Sequence, residues 1–275
     1  MTSFVAALEQ QLDDLRARGL ERELRRVDSP QGPRILLQGR ALLNFSSNDY
    51  LGLANEPALK AVARQAIDQY GAGSGASRLI CGSLAPHHEL EQTLAEFKGA
   101  EAALAFSTGY ATALGTIGAL LGKEDIIILD KLVHASIVDA ARLCGAKLRV
   151  FGHNDLQDLE EILQWANRRP GAAGPAPARR QRILIVTESL FSMDGDVAPL
   201  REMVVLKEQY GAWLMLDEAH ATGLFGPHRR GLAEALGVAD RVEIQMGTLG
   251  KAFGAAGGYI CGARALIQVL VNCAR

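Results

Sequence analysis

Aromatic side chains and net charge are both scarce in this sequence. Phe, Trp and Tyr make up only 5% of the 275 residues, and the formal net charge is −2. A protein that binds nucleic acid usually needs a basic surface or aromatic rings on which bases stack. The composition therefore predicts no nucleic-acid partner, whereas a hydrophobic content of 48% is enough for a sizeable core.

Cysteine pairs and long apolar runs are also missing. The four cysteines (Cys81, Cys144, Cys261 and Cys273) include no C-x-x-C pair, so no zinc or other metal site is predicted. Isolated cysteines suit a reducing compartment. The N-terminus lacks the basic start and apolar run of a signal peptide, and no stretch is long enough to span a bilayer. We therefore expect a cytoplasmic protein without a membrane partner.

The apolar pattern predicts an α/β fold. Residues 1–55 contain apolar positions at helical spacing and then two apolar runs around Gln38-Gly39, which predicts an N-terminal helix and hairpin segment. From 56 to 275, short apolar strands alternate with helices, which is typical of a large domain whose mostly parallel sheet is flanked by helices. A stretch at 168–182, rich in Pro, Gly, Ala and Arg, is expected on the surface.

The residues that follow the predicted strands are the candidates for chemistry, because ligands bind beyond the carboxyl ends of parallel strands. Ser107–Tyr110 follows the strand at 102–106 and precedes a helix. This arrangement is either an anion site or an ordinary helix cap. Lys251 follows the strand at 242–246 among glycines. It is either a desolvated, nucleophilic amine or a solvated loop lysine.

Asp217 ends a third apolar run and needs a partner, because an unpaired buried charge is strongly destabilising. The partner is either an arginine or the cationic ring nitrogen of a cofactor. Asp217–His220 (DEAH) also matches the acidic box of helicase-type NTPases, but those enzymes need a phosphate loop G-x-x-x-x-G-K-[ST]. The segment Gly247–Ala252 is too short for that loop and ends in alanine instead of a hydroxyl residue.

An anion site, a strand-end carboxylate and a strand-end lysine together match what pyridoxal 5′-phosphate (PLP) requires. They supply phosphate capture, a partner for the pyridine nitrogen and an amine for a Schiff base. His134, at the start of a helix, either lies against a cofactor ring or caps the helix. His220 is placed to hydrogen-bond a ring hydroxyl, and Glu188 ends another strand as an additional candidate.

Four segments occur in an order that resembles a known family: Asn44–Leu53 (NFSSNDYLGL), Thr187–Asp196 (TESLFSMDGD), Asp217–Gly223 (DEAHATG) and Gly247–Gly254 (GTLGKAFG). On these motifs the chain is identified as a member of the α-oxoamine synthase family of fold-type I PLP enzymes. The resemblance implies a PLP-binding large domain at 56–275. Members continue into a smaller C-terminal domain with an arginine for the amino-acid carboxylate, and we expect that domain to be absent here.

The resemblance also implies a role for each matching residue. Lys251 would hold the cofactor as a Schiff base and later remove the α-proton of the substrate, Asp217 would pair with the ring nitrogen, and His220 would contact the ring hydroxyl. The other implied site residues are Gly109, Tyr110, Ser192 and Thr248 for the cofactor, Arg25 and Asn48 for the substrate, and His134 for both catalysis and substrate binding. The segment Gly73–Gly75 resembles one that enters the site of a partner subunit, which implies a homodimer.

The implied activity is that of an acyltransferase of biotin biosynthesis. It would condense L-alanine with pimeloyl-CoA, or a pimeloyl carrier protein, with loss of CO₂. Two alternatives stay open. Arg78–Gly82 resembles the corresponding loop of a glycine-using member, so a sister enzyme acting on glycine and acetyl-CoA or another acyl-CoA is the first. An inactive truncated scaffold with the PLP fold is the second.

Overall fold

The structure, a computed structural model, describes residues 3–168 and 181–274. Most of the predicted surface stretch at 168–182 lies outside the described residues. The chain divides into two compact units, Met1–Ser47 and Asn48–Arg275. The domain limits derived from the sequence, 1–55 and 56–275, stay a prediction.

The first unit contains a helix and a hairpin, as predicted. Helix α1 spans Ser3–Ala17, and strands β1 (Arg34–Leu37) and β2 (Arg40–Leu43) pair antiparallel. Between the strands, Gln38 and Gly39 have positive φ angles of 49° and 75°. Two successive positive φ values characterise the two-residue type I′ turn, whose twist matches that of the flanking strands.

The second unit alternates helices with strands. Its helices are α2 (Pro57–Tyr70), α3 (Ala85–Lys98), α4 (Gly109–Leu120), α5 (Ala135–Leu143), α6 (Leu156–Asn167), α7 (Leu200–Gln209), α8 (Leu232–Ala235) and α9 (Arg264–Cys273). Its strands are β3 (Ala102–Phe106), β4 (Ile126–Asp130), β5 (Lys147–Phe151), β6 (Ile183–Glu188), β7 (Trp213–Asp217), β8 (Ile244–Thr248) and β9 (Gly258–Gly262). Among the described helices, none combines the length and the apolar character needed to cross a bilayer.

The strands of the second unit form one seven-stranded sheet in the order β3-β9-β8-β7-β6-β4-β5. Strands β5, β4, β6, β7 and β8 pair in parallel. Strand β9 is antiparallel to both of its neighbours, β8 and β3. The predicted mostly parallel sheet is therefore confirmed, and the carboxyl ends of its parallel strands meet at one edge.

The central strands are buried on both faces by helices. In β4, Ile126 and Ile128 pack into a core that includes α6 and α7. The alternate residues, Ile127 and Leu129, pack into a second core with α4, α5 and α9. Strands covered on both sides are apolar at consecutive positions, so the polar side chains of β4, β6 and β7 are concentrated where these strands end.

Strands β8 and β9 differ from the sequence prediction. The apolar pattern predicts a strand at 242–246, but β8 begins at Ile244 and extends to Thr248 because these residues pair with β9. Strand β9 was not predicted, because its apolar run is only three residues long and has a glycine at each end. Gly258 is required there, because a side chain would collide with Gly109 and Thr112 at the start of α4.

Candidate active site

Titratable side chains converge at the carboxyl edge of the sheet. Glu188 and Asp217 end the adjacent parallel strands β6 and β7, and they are direct partners in the strand register. The backbone N–H of Ser189 donates to the Asp217 carbonyl at 2.9 Å. Two acidic side chains are thereby fixed next to each other by the backbone pairing itself.

Asp217 is a buried carboxyl group at the end of β7. The residue is only 6% exposed, and its Oδ1 accepts the Ala219 N–H at 2.9 Å. Burial raises the pKa of Asp217, while the Ala219 N–H and the charges of Lys251 and His134 oppose the rise. Within 3–168 and 181–274, no lysine or arginine forms an ion pair with Asp217, so the arginine partner considered from the sequence is not found there.

Lys251 is not a solvated loop lysine. Its half-buried side chain places Nζ 2.6 Å from Nε2 of His220. Burial lowers the pKa of Lys251, although the negative charges of Asp217 and Glu188 act in the opposite direction. A lowered pKa increases the fraction of free amine, which is the nucleophilic form toward an aldehyde.

His220 connects Lys251 to a residue from a distant part of the sequence. The His220 Nδ1 lies 2.7 Å from the hydroxyl oxygen of Tyr50. Burial, followed by the charges of Lys251 and His134, lowers the pKa of His220 to about 4. The imidazole is therefore neutral at neutral pH and carries a single N–H.

Glu188 anchors the segment that presents His134. The His134 N–H donates to Glu188 Oε1 at 2.6 Å, and His134 is the N-cap of α5, where its Nδ1 accepts the Ser136 N–H at 3.2 Å. The helix-cap role considered from the sequence is thus present. The electrostatic influence of His134 on Asp217 and His220 also places it in the same cluster.

The start of α4 and the end of β8 lie side by side. Thr108 caps α4 by accepting the Ala111 N–H at 3.0 Å. A Cβ built on Gly109 would lie 3.9 Å from Thr248 Oγ1. Thr248 Oγ1 donates to the Gly257 carbonyl at 2.9 Å and accepts the Gly250 N–H at 3.2 Å. A helix start beside a threonine hydroxyl and a glycine has the chemistry of an anion site.

The remaining predicted site residues are more exposed. Tyr110 is 48% exposed, with its hydroxyl 3.4 Å from Asp139 Oδ2. Ser192 is exposed in the turn after β6, and the exposed Asn48 lies 3.3 Å from the Tyr50 hydroxyl through its Oδ1. Arg25 belongs to the first unit, where its side chain is exposed, and its role stays a prediction.

Sequence reasoning did not identify Tyr50 as a site residue. The residue lies in the Asn44–Leu53 motif, but its hydrogen-bond partner is His220, which is 170 positions away. The sequence signal was a polar aromatic residue two positions after Asn48. That signal indicates that Tyr50 lies in the site, but it does not identify His220 as its hydrogen-bond partner.

The aminotransferase class I and II family profile matches residues 40–275, and the chain belongs to this family. It is 51% identical to an 8-amino-7-oxononanoate synthase of Anaeromyxobacter sp. (strain Fw109-5) over 268 residues, covering 98% of this chain and 64% of that protein. It is 48% identical to the 8-amino-7-oxononanoate synthase of Geobacter sulfurreducens, covering 100% of this chain and 67% of the relative. These matches confirm the family resemblance derived from the motifs.

The fold comparison agrees with the sequence comparison. A variant of serine palmitoyltransferase from S. paucimobilis, in a structure with a bound PLP–myriocin aldimine, matches with a TM-score of 0.87 and 31% identity. The match covers 100% of this chain and 67% of that one. The predicted fold-type I architecture is confirmed. The chain spans 64% of the length of the first relative named above.

Proposed function

We propose that this chain forms the PLP-binding part of an 8-amino-7-oxononanoate synthase of biotin biosynthesis. The overall reaction joins L-alanine to pimeloyl-CoA, or to a pimeloyl carrier protein, and releases CO₂ and the thiol. The observation that carries the proposal is the 51% identity to an enzyme of that name over 98% of this chain. The cluster of Lys251, Asp217 and His220 supplies the matching chemistry.

The donor set of the site fits PLP. Lys251 offers an amine of lowered pKa to the aldehyde, and the buried Asp217 offers a carboxyl group to the ring nitrogen. The start of α4 at Gly109, next to Thr248, offers backbone N–H groups to a phosphate. His220 is within reach of Lys251 and so of a ring hydroxyl next to the aldehyde. Tyr110 and Ser192 are assigned further cofactor contacts from the family resemblance.

Bound PLP would supply an electron-accepting ring that stabilises negative charge on the α-carbon of the amino acid. Asp217 would stabilise a protonated ring nitrogen through its negative charge. With its amine free, Lys251 would take the α-proton of the amino acid and later return a proton to the same carbon. A carbon–carbon bond forms between the α-carbon and the thioester carbonyl, the thiolate departs, and the carboxylate leaves as CO₂.

Three residues are assigned to substrate positioning and catalytic support. His134 has its backbone fixed by Glu188 and its Nδ1 held by Ser136, so its ring orientation is restricted. Asn48 is connected to the cluster through Tyr50. Arg25 is assigned to the substrate from the motif resemblance alone.

A glycine-using sister enzyme is the second candidate. The segment Arg78–Gly82 resembles the loop of such an enzyme, and here Arg78 is fixed by two hydrogen bonds to Glu91 at 2.6 and 3.0 Å. The reaction type and the cofactor are the same in both candidates. The amino acid and the acyl donor distinguish them.

We also propose that the protein acts as a homodimer in the cytoplasm. Helix α2 has no buried residue, and its Leu59, Val62 and Ile67 are 43%, 63% and 55% exposed. Such a row of apolar side chains is typical of a surface covered by another subunit. The four cysteines are free thiols in the structure, which suits a reducing compartment.

The proposal is tested by substrate and cofactor measurements on the purified chain. With PLP, L-alanine and pimeloyl-CoA, we expect release of free CoA and formation of 8-amino-7-oxononanoate, detected by mass spectrometry. Product from glycine and acetyl-CoA, with none from alanine, would favour the sister enzyme. PLP binding with no product from any pair would favour the inactive scaffold.

The attachment residue has a separate test. Borohydride reduction of the PLP-loaded protein, followed by digestion and mass spectrometry, should place a pyridoxyl group on Lys251. The Lys251→Ala variant should lose both this adduct and all activity. Lys123→Ala is the matched control, because Lys123 is an exposed lysine in the loop before β4, and it should retain both.

A further inference from the structure

Tyr50 contacts the active-site cluster from outside the predicted set of site residues. Its hydroxyl oxygen lies 2.7 Å from His220 Nδ1, and the other ring nitrogen, Nε2, lies 2.6 Å from Lys251 Nζ. The same hydroxyl lies 3.3 Å from Asn48 Oδ1. These contacts form a continuous hydrogen-bonded series from Lys251 through His220 and Tyr50 to Asn48.

The backbone around Tyr50 is packed firmly beside the Lys251 loop. The Asp49 carboxylate accepts the Ala54 N–H at 3.2 and 3.3 Å. Gly254 has a φ of 63°, and a side chain there would collide with the backbone of Ala54. Glycine is needed at such a close approach with positive φ. The place of the Tyr50 hydroxyl is therefore set by backbone packing as well as by its own hydrogen bonds.

The number of available protons limits which atoms donate and which accept in the hydrogen bonds from Lys251 to Asn48. The neutral His220 ring carries one N–H, and the phenol of Tyr50 carries one O–H. When the Lys251 nitrogen donates to Nε2, the ring proton must be on Nδ1. It then points to the Tyr50 oxygen, and the phenol proton is left for Asn48 Oδ1. Every group in the series is satisfied in this arrangement.

The same atoms also support the opposite direction. An acceptor opposite Nε2, such as an anionic ring oxygen, requires the His220 proton on Nε2. Nδ1 then accepts the Tyr50 O–H, and Asn48 Oδ1 loses its donor. A hydroxyl can serve both arrangements because it donates and accepts, whereas the ring of a phenylalanine can serve neither.

We propose that Tyr50 is a positioning residue that reverses its hydrogen bond with His220 when an anionic cofactor oxygen replaces Lys251 opposite Nε2. The reversal releases the Asn48 side chain at the moment when the site becomes ready for substrate. The reversal and the release of Asn48 rest on the proposed function, because they require bound PLP. The Nδ1–H form of His220 in the cofactor-free protein is the first step of the proposal and corresponds to the arrangement in which the Lys251 nitrogen donates to Nε2.

The test measures histidine tautomers by ¹⁵N NMR on the full 275-residue chain labelled at histidine. His220 is assigned by comparison with the His220→Gln variant. We expect Nδ1–H in the cofactor-free wild-type protein and Nε2–H after loading with PLP. In the cofactor-free Tyr50→Phe variant no hydroxyl accepts the Nδ1 proton, so the fraction of His220 in the Nδ1–H form should fall.

Tyr210→Phe is the matched control. The Tyr210 hydroxyl donates to Glu160 at 2.8 Å, near the amino ends of the parallel strands, so its loss should change neither the His220 tautomer nor the PLP affinity. An Nε2–H tautomer in cofactor-free wild-type protein overturns the inference. So does a cofactor-free Tyr50→Phe protein whose His220 tautomer populations equal those of the wild type. A wild-type chain with Nδ1–H that takes up no PLP overturns the proposed function, and the reversal with it.

Discussion

Replacing Glu188 by glutamine should stabilise the cofactor-free protein at neutral pH. Glu188 is 5% exposed, and its Oε1 accepts the His134 N–H at 2.6 Å. Burial, together with the negative charge of Asp217, raises the pKa of Glu188 from 4.5 to about 8, against the opposing effects of the His134 N–H and Lys251. Glutamine keeps a carbonyl oxygen for the His134 N–H and removes the ionisable group.

The size of the effect follows from proton linkage. The contribution of Glu188 is fully present below the unfolded pKa of 4.5 and is lost as pH rises through the folded value of about 8. In this window the carboxyl group ionises on unfolding but stays protonated in the folded chain, which costs about 1.4 kcal/mol for each pH unit. At pH 7 the accumulated penalty is about 3 kcal/mol. Glu188→Gln removes it, so the gain in stability should grow with pH.

The assay is urea unfolding of the cofactor-free chain, followed by circular dichroism between pH 5 and pH 8. The difference between Glu188→Gln and the wild-type protein should increase over this range. Glu161→Gln, at an exposed position of α6, is the control and should follow the wild-type curve at every pH. A constant difference between Glu188→Gln and wild type would mean that Glu188 ionises as readily in the folded protein as in the unfolded one, and the reasoning would be wrong.

Two further substitutions test interactions around the site. Burial lowers the pKa of His153, but hydrogen bonds to Asp130 and Asp196 at 2.9 and 2.6 Å outweigh it and raise the pKa. The stability lost in His153→Gln should therefore be largest below about pH 6.5 and should shrink as pH rises through the folded pKa; a pH-independent loss in urea unfolding would contradict this. Lys98 and Glu218 form a fully buried ion pair at 2.5 Å. Lys98→Met should lower the free energy of unfolding by about 3–5 kcal/mol, because it leaves the Glu218 charge unpaired, and adding Glu218→Gln should restore part of the loss.

Local sequence pattern was sufficient to locate β3, but it placed β8 two residues too early and missed β9. Strand β3 has the bounds that its apolar run predicts, 102–106. Strands buried on both faces are apolar throughout and are followed by polar residues. The same pattern placed Asp217 at the end of β7 and Lys251 beyond β8, although the exact end of β8 depends on its pairing with β9.

The contacts that sequence pattern could not supply are those between distant segments. The Tyr50–His220 hydrogen bond joins residues 170 positions apart, and nothing in either local segment specifies the other. The hydrogen bonds from His153 to Asp130 and Asp196 likewise join three segments that are separate in the sequence. Such contacts depend on which segments come together at the edge of the sheet. The pattern of apolar and polar residues along the chain does not determine this.

The pairing of Glu188 with Asp217 explains how one site accommodates two buried carboxyl groups. Their strands hold them in direct register, so ionising both would place like charges side by side in a desolvated environment. Glu188, whose pKa is raised to about 8, stays neutral at pH 7 and continues to anchor His134. Under the proposed function, a cationic ring nitrogen opposite Asp217 draws the negative charge to that residue, and the charge on Asp217 in turn keeps Glu188 protonated. A charged Asp217 beside a protonated Glu188 therefore serves two purposes: Asp217 binds the cofactor, and Glu188 fixes the position of His134.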